Sequence, residues 1–587
     1  MANRYQAPLA LIHLALNQAA TSTGARTLAG YEEVLSDLAG PVLENAAKFA
    51  GDVLSPLNQI GDRTPSRCES NGVVAPPGFV EAYQRFRRDG WASLAAPEQY
   101  GGQGLPTLLA AAVTEMWGGA NLSFAMCPEL TVGAVGALQA HGTAQLVETY
   151  SPHLASGEWA TAMCLTEPQA GSDLSTVRTR AEPDGDAWRL FGRKIFISWG
   201  DHDLTDNIVH FVLARTPEAP PGLKGISLFL VPKKVPDTAG TLTRNDIDAV
   251  SVEHKMGIRA SPTCVMVLGE HGGARGWLVG RLHDGMGCMF TMMNHMRLGV
   301  GLHSLGLAER SLQLARDYAR ERRQGRDAAG AQRLIIEHAD VRRMLLTMKS
   351  LTQAARGLAY TAAATLDIAH SSPNAITRAA ATRRADLLTP IVKAWVSDVA
   401  VEVSSLGVQV HGGMGFVDDA EISQIYRDAR IGPIFEGTNY IQAQDLLGRK
   451  VIRDQGAALS ELLTEIEAAA RELAAAPVAG ITELRSGLID GCIRLRTVTA
   501  GLIQDSASEP ELIGAVSYHF LQWVGVLAGG WQLALSINRR PSESAVGSGI
   551  LDIAAIYGAY ILPRMMVHEA SVKPGAHVIA NASLADL

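Results

Sequence analysis

Charge is scarce in this chain. Only 19% of its 587 residues are Asp, Glu, Lys or Arg, and the net charge is −8, so it offers no basic footprint for DNA or RNA. Cysteine is scarcer still, with six in all. They are scattered, with no CxxC pair and no Cys/His spacing of a zinc site, so a disulfide framework and a metal site are not expected. Isolated thiols of this kind suit a reducing compartment. No run approaches the roughly 18 apolar residues of a membrane span, so no integral membrane segment is expected. The apolar run Ala7 to Leu16 is interrupted by His13, is preceded by Arg4 as its one side-chain cation and is followed by no clear cleavage site. It reads as an amphipathic helix of a cytoplasmic protein rather than a signal peptide.

What is present is apolar and small. Hydrophobic residues make up 47% and Ala is abundant, which suits closely packed helices in three or four domains. Residues 1–158 read as an N-terminal helical domain: apolar residues recur at helical spacing from Tyr31 to about Leu57, with Pro41 marking a break or a new first turn, from Phe79 to Gly90, and again from Thr107 to Ser151. Near Thr161 the pattern changes to short β-branched and aromatic runs separated by turn signals. These are Val177 to Ala181, Trp188 to Ser198, Ile208 to Ala214, Gly225 to Pro232, Val250 to His254 and Thr263 to Leu268, a β-barrel or sandwich domain over 159–284. The helical period resumes in a bundle of four or five helices over 285–452. A further helical region, 453–587, has Ala-rich runs at Leu459 to Ala476, Ile481 to Ile503, Glu511 to Asn538 and Ile550 to Val567, and reads as a packing and oligomerisation module. The fold class is α+β, mainly helical.

Three stretches carry chemistry. Tyr426 to Lys450 centres on one carboxylate, Glu436, followed by Gly437, the helix-starting pair Thr438 and Asn439, and the apolar positions Tyr440, Ala443, Leu447 and Val451. A glutamate on such a turn can be pushed into a cavity, where burial raises its pKa toward working pH and suits it to act as a base. Alone, Glu-Gly-Thr reads rather as an ordinary exposed carboxylate at a helix N-terminus. Cys164 to Asp173 (CLTEPQAGSD) ends a strand with hydroxyls and backbone amides suited to a flavin edge or a pyrophosphate, or simply makes a turn. Gly192 to Gly200 (GRKIFISWG) places Phe196 and Ser198 on one strand face and Ile195 and Ile197 on the other; the aromatic and the hydroxyl could cover a planar ring, or the strand is merely half-buried.

The order of the segments says more than any one of them. LTEPQAGSD, GRKIFIS, KMGIRASPT (Lys255 to Thr263), NHMRLGVG (Asn294 to Gly301), ARERRQGR (Ala319 to Arg326), VQVHGGMGF (Val408 to Phe416) and YRDARIGPIFEGTNYIQ (Tyr426 to Gln442) follow one another as in the acyl-CoA dehydrogenase family, which the chain resembles over roughly residues 30 to 450. The extra C-terminal region resembles the extended subgroup of that family, which includes bacterial long-chain and 3-methylmercaptopropionyl-CoA dehydrogenases.

The resemblance implies an FAD enzyme that converts an acyl-CoA thioester to the trans-2-enoyl-CoA. Glu436 would take the α-proton while the β-hydride goes to flavin N5. In one branch the base sits instead at the position of Met296, and methionine cannot accept a proton. The resemblance assigns FAD contacts to Leu165, Thr166, Ser172, Phe196, Ser198, Arg322, Gln324, Gln409, Gly412, Gly413 and Thr438, with Arg322 and Gln324 reaching the FAD of a neighbouring subunit. It assigns substrate contacts to Ser172, Ser261, Asn294, Arg297 and Gly437. Phe196 stands where many relatives have Trp; Gly325 and Asn294 depart from the usual Phe and Asp, which weakens the assignments around them. The implied partners are an acyl-CoA, an electron-transfer flavoprotein and a second copy in a homodimer. The substrate is read as 3-methylmercaptopropionyl-CoA, used in dimethylsulfoniopropionate breakdown, with a fatty acyl-CoA of β-oxidation as the alternative. A flavin oxidase or monooxygenase of the same fold, and a flavin-free scaffold, are the rival classes.

Overall fold

The computed structural model describes residues 4–237, 239, 241–473, 480–539 and 545–583. The end of the run Leu459 to Ala476 lies outside them. The N-terminal run forms the helix Leu9–Thr23, started after Pro8 and ended by Gly24 in the left-handed conformation. Tyr31 to Arg63 is one helical rod with two π-turns, Val34–Leu38 and Ala50–Leu54, and Pro41 falls in the first turn of the α segment that follows the first π-turn. The stretch expected as one helix from Thr107 to Ser151 is divided. Asn121 leaves the helical region (φ −164°, ψ 91°), and its side-chain oxygen caps the Phe124 N–H at 3.1 Å. The second break lies at Gly142, where Thr143 caps Ala144–Ala155 through the Leu146 N–H.

In the middle of the chain an eight-stranded sheet runs in the order Ile247–Val252, Thr263–Leu268, Ala187–Ser198, Ala274–Val279, Ile226–Pro232, Asn207–Arg215, Trp159–Cys164. Its eighth strand, Arg180–Asp184, pairs with both Ala187–Ser198 and Asn207–Arg215 and so closes part of the sheet into a ring. This strand starts later than the run Val177 to Ala181 suggested. The reason is Glu167, whose carboxylate takes the backbone N–H groups of Arg178 (2.7 Å) and Thr179 (3.0 Å) and removes both from the ladder. The strand Ala274–Val279 was not foreseen, because Gly276 and the charged Arg275 interrupt its apolar pattern.

The helices Gly285–Glu321, Ala339–Ser371 and Ala375–His411 pack side by side, with the short helices Glu421–Ala429 and Asn439–Gln444 at one end, the latter continued by a π segment to Ile452. A buried ionic cluster ties them to the N-terminal helices: Arg356 holds Glu115 at 2.7 Å and Glu309 at 2.8 Å, and the Tyr360 hydroxyl also donates to Glu115. The C-terminal helices surround Leu512–Asn538. Gly525 lies where a Cβ would come within 2.4 Å of the Trp395 ring, so only glycine lets this helix approach Ala375–His411 so closely.

One expectation needs correction. By length and composition, Leu512–Asn538 and Gly549–Val572 are both apolar enough to cross a membrane. Glycine, serine and glutamine interrupt the apolar run in the sequence without lowering the average below that of a span. The first helix is 72% buried over its most apolar stretch and carries buried, hydrogen-bonded Gln532 and Ser536, as a core helix does; the second is broken at Pro563.

Candidate active site

Glu436 occupies an unusual turn. Its φ is +57° and that of Gly437 is +81°, two left-handed residues in succession. For a glutamate this costs on the order of 1–3 kcal/mol and persists only where surrounding bonds over-determine it. At position 437 a side chain would bring its Cβ within 2.8 Å of Gln442 Nε2. The turn is closed by the Asn439 N–H on the Pro433 carbonyl (2.9 Å) and the Phe435 N–H on Ile431 (3.1 Å). Beyond it, the Thr438 hydroxyl caps Ile441 and starts the next helix.

The Glu436 side chain is half-buried. Burial raises its pKa to about 7, against the opposing pull of Arg297 and Lys393. Arg297 is 7% exposed, and its Nη1 donates to Asn294 Oδ1 at 3.2 Å, one turn back on Gly285–Glu321. Lys393 is fully buried on Ala375–His411, and burial lowers its pKa to about 7 despite the Glu436 charge. Its Nζ donates to Asn439 Oδ1 at 3.0 Å. A carboxylate flanked by two cations, all poised near neutrality or desolvated, is a site built to move a proton.

The segments expected to contact flavin form a second cluster in the β region. The Ile195 N–H donates to the Thr166 carbonyl at 2.9 Å, which sets Leu165 and Thr166 beside Phe196. Simple alternation across that strand fails here. Between Lys194 and Ile197 the register slips against Met266 and Cys264, and Phe196 takes φ +58°. The bulge turns the Phe196 ring outward, 59% exposed, and leaves Ser198 half-buried beside it. Beneath, fully buried Lys194 donates to the Leu165 carbonyl (3.0 Å) and Glu167 (2.8 Å). An outward aromatic face beside half-buried hydroxyls fits a flavin ring. Ser172 lies exposed on the loop after Thr166.

Other anticipated residues lie elsewhere. Arg322 and Gln324 are exposed at the start of the hairpin that pairs Arg323–Arg326 with Gln332–Leu334. Gln409, Gly412 and Gly413 are exposed where Ala375–His411 ends, with no atom within 4 Å of a Cβ at either glycine. Ser261 is fully buried, with its carbonyl accepting from Lys255, so its side chain presents no surface to a ligand in this conformation. Asn294 lines a cavity of about 1220 Å³, together with Trp117, Glu129, Thr291, His295 and Leu298. Glu436 does not line that cavity, whose wall passes through Thr389, one turn before Lys393. Lys393 itself was missed in the sequence, although a lone lysine inside the apolar run Leu387 to Val396 was a signal.

The chain's segments match, in order, the family descriptions "Acyl-CoA dehydrogenase, N-terminal domain" over 43–158, "middle domain" over 162–271 and "C-terminal domain" over 283–452. Residues 454–583 match "Acetyl-CoA dehydrogenase C-terminal like". The chain belongs to the acyl-CoA dehydrogenase family. It is therefore an FAD-dependent oxidoreductase acting on acyl-CoA, with the α+β, mainly helical fold of that family. It is 44% identical to a 3-methylmercaptopropionyl-CoA dehydrogenase of Ruegeria pomeroyi, over 99% of this chain and 100% of that one. It is 32% identical to the broad-specificity linear acyl-CoA dehydrogenase FadE5 of Mycobacterium tuberculosis, over 91% and 92% of the two chains. Its fold matches an acyl-CoA dehydrogenase from Bacillus anthracis solved with FAD, at TM-score 0.75 and 22% identity over 93% of this chain and 89% of that one.

Proposed function

We propose that the enzyme dehydrogenates acyl-CoA thioesters between the α and β carbons, with Glu436 as the base. The observation that carries this reading is a half-buried carboxylate on a left-handed turn, raised to about pH 7 and flanked by Arg297 and Lys393. An α-proton is weakly acidic, so the thioester oxygen must be stabilised as the proton leaves. The Glu436 backbone N–H has no acceptor among the described residues, which suits it to that task; one such donor is worth about 3 kcal/mol. FAD, when bound, accepts the β-hydride. Leu165, Thr166, Phe196 and Ser198 would hold its ring, Ser172 would reach FAD or substrate, and Thr438 would contact FAD beside the base.

Within the substrate class we favour 3-methylmercaptopropionyl-CoA, on the end-to-end 44% identity to the Ruegeria pomeroyi enzyme. A straight-chain acyl-CoA is the second reading, on the likeness to FadE5. We further propose a cytoplasmic homodimer that passes electrons to an electron-transfer flavoprotein, with domain boundaries near 158, 284 and 452. Support for the dimer comes from Arg322, Gln324, Gln409, Gly412 and Gly413, which all face outward, and from the neighbouring Phe416, 90% exposed. A second copy packed on this face would bring Arg322 and Gln324 to its FAD. The test is kcat/KM with 3-methylmercaptopropionyl-, butanoyl-, octanoyl- and palmitoyl-CoA, with a dye as electron acceptor. The sulfur substrate should lead; equal or lower turnover than with butanoyl-CoA would overturn that choice.

A further inference from the structure

The C-terminal helix Leu512–Asn538 lies outside the three dehydrogenase-domain matches, yet two of its polar side chains reach Asp398 on Ala375–His411, the helix that carries Lys393. Tyr518 and Gln522, one turn apart, converge on a single oxygen of Asp398, with the Tyr518 hydroxyl at 3.1 Å and Gln522 Nε2 at 2.5 Å. The other Asp398 oxygen accepts from Asn439 Nδ2 at 2.9 Å. Asn439 is held completely: its Nδ2 also donates to the Ala394 carbonyl (3.0 Å), and its Oδ1 accepts from Lys393 (3.0 Å) and Ser397 (3.2 Å). Its backbone N–H closes the turn on Pro433. Glu436 sits midway between these two anchors.

We propose that Tyr518 and Gln522 are positioning residues for Glu436, holding its turn through Asp398 and Asn439, so that the added C-terminal region takes part in the dehydrogenation. The inference rests on Glu436 being the base. A glutamate and a glycine at φ +57° and +81° need external bonds to stay there, and Asn439 supplies them three residues away. Asp398 is half-buried on Ala375–His411, and its two donors from the C-terminal helix fix the rotamer in which it can reach Asn439. A misplacement of about 1 Å at a reacting group can cost about a hundredfold in rate.

The test is anaerobic stopped-flow reduction of the bound flavin in the holoenzyme, comparing wild type, Tyr518→Phe, the double variant Tyr518→Phe/Gln522→Met, and Glu436→Gln. The double variant should keep its FAD and its substrate Kd while the limiting reduction rate falls about tenfold or more. Its acid limb should move to higher pH, because Lys393, held in place by Asn439, no longer steadies the Glu436 anion. The charges facing that anion are Arg297 and Lys393, with Asp398 behind Lys393 and Asp445 and Arg449 acting through Arg297. Gln522→His, which keeps a nitrogen donor, should recover part of the rate. If the double variant loses FAD, Tyr518→Phe alone, the loss of one hydroxyl from a 39% exposed ring, gives the same reading on a smaller scale. Wild-type rates and pH limbs in both variants, with Glu436→Gln inactive, would overturn the inference alone; an active Glu436→Gln would overturn the reading beneath it.

Discussion

Lys194→Met should destabilise the wall formed by Leu165, Thr166 and the Ala187–Ser198 strand, proposed to hold the flavin, more than any surface change. Lys194 is fully buried and pairs with Glu167, itself 3% exposed, at 2.8 Å. Burial pushes the Glu167 carboxyl up, but Lys194, the Thr179 hydroxyl and the Arg178 N–H bring it down from 4.5 to about 2. That net shift corresponds to about 3 kcal/mol. Stripping one member from a buried pair costs about 3–5 kcal/mol, because the other charge is left without its partner. The substitution also orphans the Leu165 carbonyl, which Lys194 holds at 3.0 Å. Because the folded pKa of Glu167 is depressed, its stabilisation is complete above about pH 4.5 and is lost as pH falls toward 2. Guanidinium unfolding followed by tryptophan fluorescence and flavin release should show both midpoints falling together in Lys194→Met. Glu167→Gln/Lys194→Met should recover much of the loss. A single variant with wild-type midpoints, or a double variant as weak as the summed singles, would refute the reasoning.

Flavin reduction should rise with pH through about 7, since the proposed base Glu436 would act only once ionised and its pKa is raised to about 7; Arg297→Met, which removes a flanking cation, should move that limb upward in a pH series of single turnovers. Gly437→Ala forces a Cβ to 2.8 Å from Gln442 Nε2 at φ +81°, a strain of about 1 kcal/mol or more; the variant should keep its FAD and reduce it at least about tenfold more slowly. Arg322→Ala, at an exposed position, should change unfolding by no more than about 0.5 kcal/mol while raising the FAD dissociation constant measured by flavin fluorescence.

The helical frame was legible because its signal is local: apolar residues at helical spacing place Ala443, Leu447 and Val451 inside the last bundle helix, as observed. Tyr440 fits the same spacing but is 44% exposed, its hydroxyl taken by Gln444, while polar Asn439 is the buried one. Spacing cannot tell a buried amide from a buried methyl. Strand alternation carried the Phe196 and Ser198 reading until the bulge, whose left-handed Phe196 has no sequence mark. The support of the Glu436 turn was hidden for a different reason. Lys393, Asp398, Asn439, Tyr518 and Gln522 meet only through tertiary packing, across up to 129 positions of chain from first to last.

The most direct measurement is an anaerobic titration of the yellow holoenzyme with 3-methylmercaptopropionyl-CoA and butanoyl-CoA, following flavin bleaching in wild type and Glu436→Gln. The account predicts bleaching in wild type with at least one acyl-CoA, and FAD retained but unbleached in Glu436→Gln. Bleaching at equal rates in both proteins would contradict it.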